Sequence, residues 1–363
     1  MMLTRLVRQH REDDSLEHQV VSLRSDGRVG ELLEDQGVKV TKLGLTSLTR
    51  LPHTLLSLRR VIRAARPDIV HTWMYHADLF GGLAARASGV RRIVWSVRVA
   101  NITPEMGVAR STLWIRRACA WFSAKVPTCI LYVAESARPP HEALGYDASK
   151  AIVIPNGYVV PPDRSPEQRL AIRRRLGLPE DKVLVGSAGR FSEQKDFPTF
   201  VRAAALAATE NPNAHFVLMG RQLEPSNEPL ATLVRETGFG DRFHLLGERK
   251  DIGDCLAALD VFCLHSIEEG FPNVVAEAMA EGTPCVVTNV GDAAYLVGET
   301  AVVVEPRSPK LLAAALGSLL KAGATGRQAL GRAARRRLET MFSIESVAAQ
   351  YAALYRHLMD SYR

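Results

Sequence analysis

Glu269 and Glu277 stand eight positions apart in EEGFPNVVAEAMAEGTP, residues 268–284. On one continuous helix that spacing would separate them by about 12 Å. Gly270 and Pro272 break the chain between them, so Glu269 falls in a loop and Glu277 in a helix read over Asn273–Glu281 and stopped by Gly282. Both carboxylates can then face one cleft. Pro272 suits the entry to that helix. The free N–H groups and positive dipole end at Pro272–Val274 favour a phosphate. A second pair is cationic. Arg190 ends the run VLVGSAGR, and Lys195 follows five positions later. Two cations beyond the C-terminal end of a strand can grip a diphosphate, Arg by a forked contact and Lys as a point charge. Spacing alone leaves a plainer reading open for each pair. Glu268, Glu269, Glu277 and Glu281 also fit a solvated helix face, and Arg190 and Lys195 also fit surface cations.

Such residues converge only if strands end along one edge of a sheet. The first half supplies strand patterns at Val20–Leu23, Val38–Val40, Ile69–Thr72, Ile93–Val97, Thr128–Val133 and Ala151–Ile154. The second supplies Val183–Gly186, Phe216–Met219, Phe243–Leu246, Val261–Leu264, Cys285–Thr288 and Val302–Val304. Helical patterns alternate with both sets, which predicts parallel, doubly wound sheets. Ligands bind such sheets beyond the strand C-termini. Between the halves, residues 155–166 carry four prolines and a Pro-Asn-Gly turn, so they read as a linker. Ser165, Pro166 and Gln168 then form a helix start with a capping box. The chain ends in helical patterns, Ser308–Leu320, Arg327–Met341 and Ile344–Met359.

With 363 residues the length fits two domains, and 47% hydrophobic residues are ample for two cores. A net charge of +7 suggests an anionic partner, yet no nucleic-acid-binding motif occurs. Five cysteines with no C-x-x-C pair read as core thiols, which argues for a reducing compartment and against a zinc site. No run of about 18 apolar residues exists, and the start MMLTRLVRQHREDD is too polar for a signal peptide. The expected location is the cytoplasm. Arg59, Arg63 and Arg66 share one basic helix, and Arg116, Arg117, Trp114 and Trp121 share another. Each reads as a solvated face or as a face that docks on an anionic membrane.

The segment EEGFPNVVAEAMAEGTP, with Val-Gly-Asp at 290–292, resembles the E-x7-E signature of the retaining GT-B glycosyltransferases of family 4. GRFSEQKDFPTFVRAA, from Gly189, resembles the second signature of that family. The resemblance implies an α/β GT-B protein of two Rossmann-like domains facing a cleft: 1–160, 161–340, and a final helix, 341–363, returning to the first. It implies transfer of a sugar from a nucleoside-diphosphate donor, UDP- or GDP-type, to a glycan or polyprenyl-linked acceptor in surface polysaccharide assembly. No metal or other cofactor is expected, since no Asp-x-Asp motif occurs and cations can serve in its place. Glu269, Arg190 and Lys195 take the catalytic roles. Glu277 holds the ribose, and Arg249, Gly270, Phe271, Asn273 and Val274 complete the donor site. On the acceptor side Arg98 stands where many relatives carry a His, and His76 is the nearest candidate in HTWMYHADL. Docking at the inner face of the cell membrane fits relatives that build lipid-linked glycans.

One departure from the family concerns the start. Residues 1–23 resemble the family's first helix and second strand, so its first strand and Gly-rich loop are expected to be missing. That departure keeps a non-catalytic sugar-nucleotide binder as a rival. A non-hydrolysing sugar-nucleotide 2-epimerase shares the fold and is a further alternative.

Overall fold

The computed structural model describes residues 2–13, 15–24, 27–45, 51–102 and 108–361, without the side chains of Glu12 and Arg28. Two compact units divide the chain, Met1–Gly157 with Ile344–Arg363, and Tyr158–Ser343.

In the first unit, β1 (Val20–Ser22) and β2 (Val40–Lys42) pair in parallel as a two-stranded sheet. Strands β3 (Val70–Trp73), β4 (Ile93–Val97), β5 (Cys129–Tyr132) and β6 (Ala151–Val153) form a second parallel sheet in that order. No strand among the described residues joins the two sheets. Strands β4 and β5 are buried along their full length because both faces are covered. On one face Val94, Cys129 and Leu131 pack with Met2 and Leu6 of helix Met2–Gln9 and with helix Ile344–Ser361. That last helix carries Ile344, Val347, Ala348, Tyr351, Tyr355 and Leu358 on one stripe, so its apolar face must find a sheet. The second strand lies two residues later than the pattern over Val38–Val40 predicts. The Val38 amide donates to Leu33 O, closing the helix Arg28–Glu34, and its side chain packs with Val7 and Leu33. Val38 is therefore spent before pairing begins.

Asp78, on helix Tyr75–Ala87, is fully buried. Its Oδ1 accepts from Thr72 Oγ1 at 2.6 Å and from the Ser96 amide at 3.3 Å, while Oδ2 has no partner. Burial raises its pKa to about 8, against the lowering effect of those two hydrogen bonds. The folded state therefore keeps a proton that the unfolded state releases near pH 4. Between about pH 4 and about pH 8 the native state binds more protons than the unfolded one, so stability contributed by this group falls as pH rises. Urea unfolding at pH 6 and pH 8.5 is expected to show that loss in the parent chain and a flatter response in Asp78→Asn. Equal slopes would place the ionisation elsewhere.

The second unit holds one six-stranded parallel sheet: β7 (Val183–Ala188), β8 (Ala214–Met219), β9 (Phe243–Gly247), β10 (Val261–Leu264), β11 (Cys285–Thr288) and β12 (Ala301–Val304). The spatial order is β12-β11-β10-β7-β8-β9. The capping box at Ser165 starts helix Pro166–Leu176, and Gly177 ends it in the left-handed conformation. From β7 the chain winds outward to β9, then returns to β10 on the other side of β7 and winds outward again. Loops leaving β7 and β10 therefore diverge, and the crevice between them lies at a topological switch point. All five cysteines are free and buried, and burial pushes the thiols up, Cys129 to about 12.

Candidate active site

At the switch point the loops after β7 and β10 bring together two of the residues that the sequence singles out, Lys195 and Glu269. Arg190 lies just beyond β7 and is exposed. A short turn, Glu193–Lys195, follows, and Asp196 then caps helix Phe197–Glu210. Asp196 sits at φ 48° and accepts from the Thr199 amide at 3.3 Å. The stem of Lys195 runs along Gly189, where a Cβ would come within 3.4 Å of it. From the far side of the crevice the loop after β10 delivers Glu269. Lys195 Nζ meets Glu269 Oε1 at 2.5 Å. Both side chains are largely shielded, 25% and 14% exposed, so the attraction is screened less than at an open surface.

Glu269 is held from several directions. Ser266 Oγ donates to the same Oε1 at 2.7 Å. The carbonyl of Ser266 accepts from Thr288 Oγ1 at 2.7 Å, which ties the loop to the end of β11. The Ile267 amide donates to Gln194 O at 2.9 Å, joining the glutamate loop to the lysine turn. Gly291, at φ +54°, lets the following Gly-Asp turn press against the loop, and the Asp292 amide donates to Gly270 O at 2.9 Å. Beneath this lies His265, buried against Phe197 and Phe200, with Nε2 at 2.7 Å from Ser187 Oγ. Burial lowers its pKa to about 3, so it stays neutral and adds no charge to the crevice. Sequence reasoning passed over Ser266, His265 and Ser187. A Ser three positions before a loop carboxylate was the available signal for the first; the His–Ser pair joins residues 78 positions apart and had none.

Helix Asn273–Ala280 begins one residue after Pro272, which caps it. Val275, Ala276, Ala278 and Met279 face the core, leaving Asn273, Val274 and Glu277 on the uncovered side. Asn273 and Glu277, four apart, share that face. The Asn273 Oδ1 accepts from Tyr158 OH at 2.6 Å. Phe271 is buried, with its ring near Tyr158 and Phe342, so it anchors the loop, and its neighbour Gly270 leaves the backbone bare. Arg249 makes a forked ion pair with Asp251 through Nε and Nη2, at 2.9 and 2.8 Å.

The two residues expected on the acceptor side lie in the first unit. His76 is half-buried at the start of helix Tyr75–Ala87, edge-on to Phe80, and burial lowers its pKa. Arg98 sits at the end of β4 with its guanidinium 4.9 Å above the Trp73 ring. It donates to Tyr351 OH at 3.2 Å and to Asn156 Oδ1. Those bonds clasp the sheet edge to the last helix. His71 belongs to the same stack: Nδ1 lies 2.8 Å from Tyr355 OH, and burial lowers its pKa to about 3. Among the described residues no group of three or more His, Cys, Asp or Glu could hold a metal ion.

Comparison with known proteins bears on this arrangement. The profile of "Glycosyl transferases group 1" matches residues 168–337, and that of "Glycosyltransferase Family 4" matches residues 2–160. The UDP-Gal:alpha-D-GlcNAc-diphosphoundecaprenol alpha-1,3-galactosyltransferase of Escherichia coli is 30% identical over 248 residues, 67% of this chain and 63% of that protein. The chain thus spans less than two thirds of that relative. The lipopolysaccharide core mannosyltransferase LpsB of Rhizobium meliloti is 28% identical over 255 residues, 67% of this chain and 70% of that protein. Among solved structures, Anabaena HepE in complex with UDP superposes with a TM-score of 0.84 at 21% identity, covering 98% of this chain and 95% of its own.

Proposed function

The chain belongs to the family 4, group 1 glycosyltransferases of GT-B fold, and from that premise we propose that it moves a sugar from a nucleoside diphosphate to a glycan or lipid-linked acceptor, retaining anomeric configuration. The observation that carries the reading is the Lys195–Glu269 contact at the β7/β10 switch point. Arg190 lies just beyond β7, five positions before Lys195 in sequence, and a helix begins at Asn273, four positions after Glu269.

In the proposed reaction the bond between the sugar C1 and the diphosphate oxygen breaks, and its electron pair goes to the diphosphate. Arg190 and Lys195 stabilise that charge. The acceptor hydroxyl oxygen bonds to C1 on the same face, and its proton passes to the departing phosphate. Glu269 orients the donor sugar, and Glu277 accepts from the ribose hydroxyls. The cations do the work that a metal ion would otherwise supply. A uridine nucleotide is the first candidate, supported by the UDP of HepE and the UDP-Gal of the E. coli relative; a GDP-type donor is the alternative. The relatives support a place in polysaccharide assembly, and the location proposed with it is the cytoplasmic face of a membrane. No described helix is long and apolar enough to cross one.

Calorimetric titration with UDP, GDP and ADP tests the donor site. One nucleotide is expected to bind, with affinity reduced about tenfold or more in Arg190→Ala and in Glu277→Ala, since hydrogen bonds to charged groups contribute about 1.5–3 kcal/mol. Unchanged affinity in both variants would remove these residues from the site.

A further inference from the structure

His265 is tied to both sides of the Lys195–Glu269 contact. It directly follows β10, and the next residue is Ser266, whose Oγ holds Glu269. Its ring packs edge-on to Phe197, with centroids 4.8 Å apart, and tilted on Phe200 at 4.9 Å. Both phenylalanines stand in the first turn of helix Phe197–Glu210, which leaves the lysine turn Glu193–Lys195. One buried imidazole thus packs on the helix that follows Lys195 and heads the loop that carries Glu269.

An apolar ring would fill that space without taking polar atoms out of water. Histidine buries two ring nitrogens, and buried polar groups in proteins are paired. Nε2 is paired, with Ser187 Oγ at 2.7 Å. Nδ1 has no partner at hydrogen-bonding geometry among the described residues. The backbones of Lys195 and Asp196 nevertheless lie near the ring and favour its charged form, the effect of carbonyl oxygens close to a ring N–H. Asp196 also sits at φ 48°, a conformation that a residue with a Cβ keeps only when its surroundings hold it.

The position of the ring proton follows from what each arrangement leaves unpaired. His265 is neutral and carries one ring proton. Ser187, near the end of β7, is buried, and His265 is the one hydrogen-bond partner of its hydroxyl among the described residues. A proton on Nε2 would be donated to Ser187 Oγ, and the serine proton would then have no acceptor. Nδ1 would also turn a bare lone pair toward the carbonyl side of the lysine turn. With the proton on Nδ1, the serine hydroxyl donates to Nε2, and Nδ1–H has carbonyl oxygens nearby. The second arrangement leaves fewer buried groups unmet.

We propose that His265 is a positioning residue for Lys195: Ser187 fixes the ring proton on Nδ1, and that N–H restrains the backbone of the Lys195–Asp196 turn while the diphosphate draws on the lysine. His265 is buried beneath the crevice and acts through Lys195. The inference rests on the glycosyl-transfer reading and adds a residue to it.

Three replacements separate packing from the proton. His265→Phe keeps a ring and loses both nitrogens. His265→Gln sets an amide near the place of Nε2 and leaves the Nδ1 side empty. His265→Asn sets an amide N–H near the place of Nδ1 and gives up packing. Melting temperature is measured for each, with kcat and donor KM read as UDP release from UDP-glucose and UDP-galactose. His265→Phe and His265→Gln are expected to lose about tenfold in kcat with donor KM changed by less than about threefold, because a displaced cation costs most as charge grows on the diphosphate. His265→Asn is expected to melt lowest, since it leaves a void, yet to keep kcat within about threefold of the parent. If His265 only fills the core, rates follow melting temperatures, with His265→Phe best and His265→Asn worst, and that order overturns the proposal.

The ring proton is read directly on the full chain labelled with nitrogen-15 histidine. Long-range proton–nitrogen spectra distinguish the two tautomers, and the signal missing from His265→Asn assigns the residue. The Nδ1–H tautomer is expected at pH 7, and Nε2–H overturns the proposal. This measurement needs no substrate. If the parent releases UDP from neither donor, transfer from these uridine donors fails, and the tautomer alone decides the inference about His265.

Discussion

Lys195→Ala is expected to lower the rate of glycosyl transfer by about 10²–10³-fold and to weaken nucleoside-diphosphate binding as well. The rate effect exceeds the binding effect because charge on the diphosphate grows as the sugar leaves, and removing one preorganised group aimed at such charge costs about that factor. The cation also acts within the free protein. Its ammonium lies 2.5 Å from Glu269 Oε1, in surroundings that leave the carboxylate only 14% exposed. Without Lys195, Ser266 Oγ still donates to that oxygen. A partly buried carboxylate that loses its counter-ion is costly, so some loss of stability accompanies the loss of rate. The variant Glu269→Gln separates the two roles. If Lys195 serves only to neutralise Glu269, then combining Lys195→Ala with Glu269→Gln should restore stability and leave transfer near that of Glu269→Gln alone. If Lys195 grips the donor diphosphate, the double variant regains stability while binding stays weak. Thermal unfolding, calorimetry and initial rates on the four proteins of this cycle decide between them.

The strands that position this pair were legible from apolar runs, because buried parallel strands leave a plain signal. The bounds of β4, β10 and β11 coincide with the patterns over Ile93–Val97, Val261–Leu264 and Cys285–Thr288. The first sheet was harder. Both strands of that two-stranded sheet are short and half-buried, and Val38 was read as strand although a helix end claims it. Within the site, residue types and strand ends pointed to Arg190, Lys195 and Glu269. Spacing could not show that Lys195 and Glu269 touch, since they stand 74 positions apart and meet only because β10 pairs with β7. Arg249 and Arg98 show the same limit. Each has partners in the fold that spacing did not reveal, Asp251 for one and Tyr351 and Asn156 for the other. A charged residue in sequence carries no sign of the partner that the fold will bring to it.

Gly291→Ala, a substitution outside the charged set, is expected to cost transfer about 10²-fold and to lower the melting temperature by about 5 °C. The backbone at Gly291 has φ +54°, a conformation that costs a residue with a Cβ about 1–2 kcal/mol. Space is the larger difficulty. A Cβ there would lie 2.3 Å from Glu269 O and 2.5 Å from Gly270 O, and backbone oxygens cannot rotate away as a side-chain tip can. The Gly-Asp turn and the glutamate loop must therefore separate. The Asp292 amide would then lose Gly270 O, now 2.9 Å away, and Glu269 would shift relative to Lys195. A displacement of about an ångström at a positioned group suffices for a loss of that order. Gly240→Ala supplies the control, because a Cβ there meets nothing within 4 Å and no positive φ is required. It should leave both readouts unchanged. Transfer by Gly291→Ala within threefold of the parent, alongside the expected drop in melting temperature, would mean that the reaction tolerates movement of Glu269. The carboxylate would then be a counter-ion that holds Lys195, and the cation would carry the chemistry.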